Sequence, residues 1–198
     1  MLQPLAAAGR LPHLSAWLRD GAAAALPSTT PPMSFPAWSS FATGLAPGRH
    51  GIFDFTQKQD GAYRIRFVNA ADRAGEPFWM RASRAGRRVL CLGVPATFPP
   101  DRVDGLLVPG FDAPVSTGSD AAAASDPALY TCVAARAGPW MVPDLDEAAR
   151  AGGWHERSIA TLLARVERKT AFALEALRQL REAGRDPDLM VVVFSESD

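Results

Sequence analysis

Lysine is nearly missing from this 198-residue chain: Lys58 and Lys169 are its lysines, and arginine supplies the rest of the 21 basic residues. They are balanced by 21 acidic residues, so the formal net charge is zero. Without an excess of either sign, the sequence indicates neither a polyanion-binding face nor a basic membrane-surface patch, and nucleic acid is not an expected partner. The preference for arginine, with the runs of alanine, is compositional and carries no mechanism. Cysteine is scarce too. Cys91 and Cys132 lack metal-site spacing, and Cys91 lies inside the apolar run VLCLGV, where a buried thiol is expected. No stretch approaches the roughly 18 apolar residues of a membrane span, and the first residues show no charged region followed by an apolar one. The expectation is a soluble chain with no membrane segment and a cytoplasmic location.

What is present is enough apolar material for a core. Hydrophobic residues make up 47% of the sequence, and the length suits one domain of ordinary size. From Pro4 to Asp20, interrupted apolar spacing predicts two short helical pieces closed by Gly21; Ala22 to Leu26 then reads as a short buried strand. Phe53 to Gln57 and Tyr63 to Asn69 read as the two strands of a hairpin around Asp60-Gly61. Pro77 to Ala85 predicts a helix stopped by Gly86, Arg88 to Val94 a buried parallel strand, and Leu106 to Val108 another short strand. Ser116 to Pro127 has no periodicity and reads as a surface loop. Glu156 to Ala183 carries apolar residues at helical spacing, including Ile159, Leu163, Phe172, Leu174 and Leu180, with Arg165, Glu167, Arg168 and Lys169 on a solvated face. After Pro187 the run LMVVVF suits a central strand covered on both faces. Strands and helices alternate without internal repeats, which points to an α/β three-layer fold.

The densest information lies between Met33 and Phe55. Pro31, Pro32 and Pro36 mark the start of a helix expected from about Phe35 to Thr43, with Gly44 as its stop. Ser34 stands at that start. An ordinary N-cap is one reading. The other is chemical: a hydroxyl and free amides at the positive end of a helix dipole suit a phosphate or another oxyanion. His13 and His155 sit among small or polar neighbours and read as surface residues, so no base for Ser34 is evident.

Taken as a string, SFPAWSSFATGLAPGRHGI resembles the nucleophile segment of the type I phosphodiesterase and nucleotide pyrophosphatase family, within the alkaline phosphatase superfamily. Ser34, Phe35, Pro36, Thr43, Gly44, Pro47, His50, Gly51 and Ile52 match its pattern without a gap. The block PATFPPDRVDGLLVPGFDAP is similar to the bacterial phosphohydrolase branch of the same family. The resemblance implies a three-layer α/β/α alkaline-phosphatase-like domain with a mostly parallel sheet, incomplete in this chain. Residues 1–198 would form a single partial catalytic domain, with a β-hairpin insertion near 53–69.

It also implies chemistry. Ser34 would be the phosphoryl acceptor and a metal ligand, in a hydrolase acting on a phosphate ester or phosphodiester through a phosphoserine intermediate. Two divalent ions, zinc being expected, would assist. Asp198, closing the run VVVFSES, matches the strand-end Asp that is a metal ligand in the family. The His that follows that Asp would fall past the last residue, and an Asp-Gly strand end would precede the first. A fragment is therefore expected, inactive in isolation and poorly soluble. His50 is implied to be structural, and Asp54 and Phe55 occupy the neighbourhood of a phosphate-holding asparagine.

Two other readings stand beside it. A sulfatase-like hydrolase would need arginine where this chain has Trp38. A non-catalytic interaction module, or a relative that keeps the fold without the activity, is the alternative from a different class.

Overall fold

The computed structural model describes residues 2–59, 61, 63–113, 120–140 and 152–197. Helices Leu2–Ala7 (α1) and Pro12–Asp20 (α2) open the chain, separated at Gly9 and restarted by Pro12, whose missing N–H costs nothing in a first helical turn. Helices Ser34–Thr43 (α3) and Pro47–His50 (α4) follow. Strands Thr56–Lys58 (β1) and Ile65–Phe67 (β2) pair antiparallel, and Phe78–Arg84 (α5) leads into strand Val89–Val94 (β3). Strand Gly105–Pro109 (β4), helices Pro127–Ala137 (α6) and Trp154–Glu182 (α7), and strand Leu189–Val192 (β5) complete the order.

The strands β4, β3 and β5 form a parallel sheet in that order. Alternation along β3 sorts its side chains between two helical layers. Leu90 and Leu92, with Leu106 and Val108 of β4, pack against Tyr130 and Val133 of α6 and Phe172, Ala173, Ala176 and Leu180 of α7. Val89 and Cys91, with Leu107, meet Ala42 of α3 and Trp79 of α5 on the other face. The fold is therefore α/β with helices on both faces of a parallel sheet. Every β3 and β4 residue is buried, and full burial of a side chain the size of Leu or Phe stabilises by roughly 1.5–3 kcal/mol.

One irregularity shapes the end of β3. The register shifts between Leu92 and Val94, with Gly93 at a φ of 76°. A Cβ there would stand 2.7 Å from the Trp140 ring and 3.0 Å from the Val193 carbonyl oxygen, so glycine is required on both counts. After the bulge Val94 joins Val89 and Cys91 on the α3 and α5 side.

Several expectations need correction. Ala22 to Leu26 is not a strand: it runs exposed, with Leu26 93% accessible. Alanine offers little apolar area to bury and a low β preference, and among the described residues no strand pairs with it. The run Leu189–Val192 is an edge strand among the described residues, not a central one, and is only half buried. In the β1–β2 ribbon, the apolar set Tyr63, Ile65 and Phe67 faces outward while Arg66 turns in and pairs with Asp72. The long helix begins at Trp154, two residues before its expected start, and Ile159, Leu163 and Leu174 lie exposed on it. Lys169 is buried, not on a solvated face. Within the expected loop Ser116 to Pro127, residues 116–119 lie outside the described residues, Asp120–Ala123 forms a 3-10 turn, and Pro127 already starts α6.

Candidate active site at the start of the Ser34 helix

The chain approaches α3 through Pro31 and Pro32, and the Met33 N–H donates to the Pro31 carbonyl at 3.0 Å. Met33, extended at φ −123°, is the N-cap, and Ser34 is the first helical residue. The expectation that Ser34 is the cap is thus corrected by one position: its hydroxyl makes no capping bond. A cap must leave the helix with extended dihedrals, and Met33 already does so.

That shift changes which donors are free. The first intrahelical bond runs from the Ala37 N–H to the Met33 carbonyl at 3.0 Å, and Pro36 has no N–H to give. Among the described residues this leaves the Ser34 and Phe35 amides, together with the Ser34 hydroxyl, at the positive end of α3. These three donors lie at the helix end where the dipole favours an oxyanion.

Phe35 anchors this turn. It is buried with Ile52, Val68 and Ala96, its ring 4.5 Å from that of Phe55. At the far end Gly44 takes the left-handed conformation at φ 70° and donates to the Ser40 carbonyl, closing α3. His50, fully buried, ties α4 back to α3. The Ile52 N–H donates to Nδ1 at 3.1 Å, so the ring proton sits on Nε2, which donates to Ser40 Oγ at 3.0 Å. Burial, helped by the charge of Arg73, pulls the His50 pKa below its ordinary value against a backbone hydrogen bond at Pro36 that raises it. His50 is a neutral brace two turns from Ser34, which accords with the structural role implied for it.

Ser34 opens onto a cleft of about 510 Å³. One wall is the segment leading into α3 and its first turns, and the other comes from the carboxyl ends of the three parallel strands: Pro95 follows β3, Phe111 follows β4, and Val193, Phe194 and Ser195 follow β5. Open α/β sheets bind ligands at this end of their strands. Trp38 lines the cleft one helical turn beyond Ser34 and is held edge-on by Phe41 at 5.4 Å.

Buried charges brace two of these strand ends. After β3, Ala96 takes a φ of 57°, uncommon for alanine. Its N–H donates to Asp112 Oδ1 at 2.9 Å and its carbonyl accepts from Arg73 at 2.8 Å. Burial pushes the Asp112 carboxyl up and the Arg73 guanidinium down. After β5, Lys169 Nζ pairs with Glu196 Oε1 at 2.6 Å and lies 3.3 Å from Ser195 Oγ. Sequence patterning missed this pair, because Lys169 sits among charged neighbours on a helix whose contact stripe, Phe172, Ala173, Ala176 and Leu180, extends back to it at helical spacing.

Asp198, the second metal donor expected, lies outside the described residues, and so does the side chain of His155; His13 is exposed. Asp54 is exposed away from the cleft wall and accepts from the Phe55 N–H. Among the described residues no group of three or more His, Cys, Asp or Glu side chains is placed to hold an ion, and the cleft wall offers hydroxyls without a carboxylate or imidazole. These residues do not by themselves fit a metal pair.

The sequence model of one family, described as type I phosphodiesterase / nucleotide pyrophosphatase, matches residues 1–198. No curated protein and no solved structure matches the chain.

Proposed function

Because the chain belongs to the type I phosphodiesterase / nucleotide pyrophosphatase family, we propose that it hydrolyses phosphodiesters with Ser34 as the acceptor of the phosphoryl group. The observation that carries this reading is the placement of Ser34: an uncapped hydroxyl on the first residue of a helix, facing a cleft at the carboxyl ends of three parallel strands. The Ser34 oxygen attacks phosphorus, the bond to the leaving alcohol breaks, and the hydroxyl proton is lost to solvent as the leaving oxygen is protonated. A water then attacks the phosphoserine, returning Ser34 and releasing a phosphomonoester. Throughout, the Ser34 and Phe35 amides face the phosphoryl oxygens on which negative charge accumulates.

Divalent ions, zinc first, belong to the proposal with Ser34 and Asp198 as donors, although the described residues do not complete a site for such a pair. We also read residues 1–198 as belonging to a single alkaline-phosphatase-like catalytic domain in which the ribbon near 53–69 is an insertion. The test is hydrolysis of a bis-aryl phosphodiester by the product of the complete reading frame, with zinc or manganese and with a chelator. Ser34→Ala should abolish turnover, and a variant that still turns over would sink the assignment. Unchanged activity in chelator would remove the metal part alone.

A further inference from the structure

Ser195 lies on the strand-end wall of the cleft that Ser34 enters from the helix wall. The chain is fixed on both sides of it. The Val193 N–H donates to the Leu92 carbonyl at 2.9 Å, which ties this segment to β3, and Glu196 pairs with the buried Lys169. Lys169 Nζ also stands 3.3 Å from Ser195 Oγ. The direction of that hydrogen bond is set by chemistry: an ammonium group has three protons to give and no lone pair, so the serine oxygen accepts. Glu196 and the face of the Trp140 ring, its centre 5.2 Å from Nζ, hold the ammonium in place. Accepting from a cation polarises the Ser195 O–H and turns its proton away from Nζ.

Resting on the phosphodiesterase reading above, we infer that Ser195 donates a hydrogen bond to a phosphoryl oxygen of the substrate, with Lys169 as the positioning residue that orients its hydroxyl. No proton is transferred. The hydrogen bond strengthens as negative charge accumulates on the phosphoryl oxygens during attack by Ser34. The Ser34 and Phe35 amides meet the phosphoryl group from the helix end, and Ser195 meets it from the sheet. A hydrogen bond to one phosphoryl oxygen leaves the others to divalent ions, so the arrangement is compatible with the metal part of the reading. It also gives the buried ion pair a task. Such a pair gains little over apolar side chains of similar size, whereas this one fixes a hydroxyl at the cleft.

The product of the complete reading frame is assayed with a bis-aryl phosphodiester, and its affinity for inorganic phosphate is measured by calorimetry. Ser195→Ala should lower kcat about 10- to 100-fold with KM changed less than about 3-fold, and should weaken phosphate about 10-fold. Its urea midpoint should match the parent, because Lys169 keeps Glu196. Ser195→Thr retains the hydroxyl and should recover most of the loss. Lys169→Met, with rates taken per folded molecule, should lower kcat when Ser195 is present and add no loss in the Ser195→Ala background; a purely structural lysine would not show that coupling. Parent-like kcat or phosphate affinity in Ser195→Ala would overturn the inference, as would a Ser195→Thr variant equally impaired or additive losses for Lys169→Met and Ser195→Ala. Parent-like kcat in Ser195→Ala beside an inactive Ser34→Ala would leave the phosphodiesterase reading intact while this one fails. Weakened phosphate binding in Ser195→Ala, with hydrolysis that survives Ser34→Ala, would do the reverse.

Discussion

Lys169 Nζ lies 2.6 Å from Glu196 Oε1, with the two side chains only 11% and 5% exposed. The pair joins the middle of α7 to the turn after β5, whose preceding residues wall the cleft. Lys169 also stands 5.2 Å from the centre of the Trp140 ring, so its charge is shared between a carboxylate and an aromatic face. The second Glu196 oxygen has no partner among the described residues, which makes the site sensitive to loss of the lysine.

Lys169→Met should destabilise the protein by about 3–5 kcal/mol, because it leaves a carboxylate out of water and unpaired. Adding Glu196→Gln to that variant should recover part of the loss. Urea unfolding of the two single variants and the double variant checks this, and strict additivity would show that the pair is not coupled.

Ser34→Ala should separate activity from stability. Removing an N-cap serine usually costs about 1 kcal/mol. Here the hydroxyl makes no capping bond, so the unfolding free energy should stay within about 0.5 kcal/mol of the parent while hydrolysis is lost. Chemical denaturation beside the phosphodiester assay reads both.

Much of this site was legible in the sequence. The prolines and Gly44 bracketed α3 to within one residue, because helix starts and stops are set by local backbone chemistry. The apolar run around Cys91 marked β3, since a strand covered on both faces has no polar side to disguise it. The failures came where neighbours decide. Ala22–Leu26 looked buried only because it is apolar, and Leu189–Val192 looked central only because it is rich in valine. The helix α6 went unmarked although Asp126 caps it, accepting from the Leu129 N–H, and Pro127 follows at its first position. That signal was present and was hidden by the small, polar residues before it. The Lys169 pairing depends on a contact 27 residues along the chain, which no local pattern contains.

His50 makes stability depend on pH in a defined direction. Its folded pKa lies below the ordinary 6.5, so the unfolded chain binds a proton more readily. The stabilisation is complete above pH 6.5 and is lost progressively as pH falls from there through the folded pKa. Denaturation free energies at pH 7.5 and 5.5 should fall towards acid in the parent, and that part of the slope should vanish in His50→Gln.

The two cysteines should react very differently. Burial, with a smaller contribution from the charge of Asp101, pushes the Cys91 thiol up to about 12, whereas Cys132 is exposed on α6. A thiol reagent at neutral pH should titrate one group in the folded protein and both after denaturation.

Gly93→Ala should cost roughly 2–4 kcal/mol, combining left-handed strain with contact against Trp140 and the Val193 carbonyl. Reduced thermal stability and altered tryptophan fluorescence would report it.

The bulge at Gly93 also gives β3 a counting rule. Before it, odd-numbered side chains belong to the α3 and α5 layer; after it, an even-numbered one does. A residue inserted or deleted anywhere from Val89 to Leu92 would exchange the two layers' side chains while the Ser34 end of the sheet stayed where β4 and β5 hold it. The strand is therefore far less tolerant of changes in length than of changes in composition: an apolar residue replaced by another keeps its layer, and a single-residue slip keeps none.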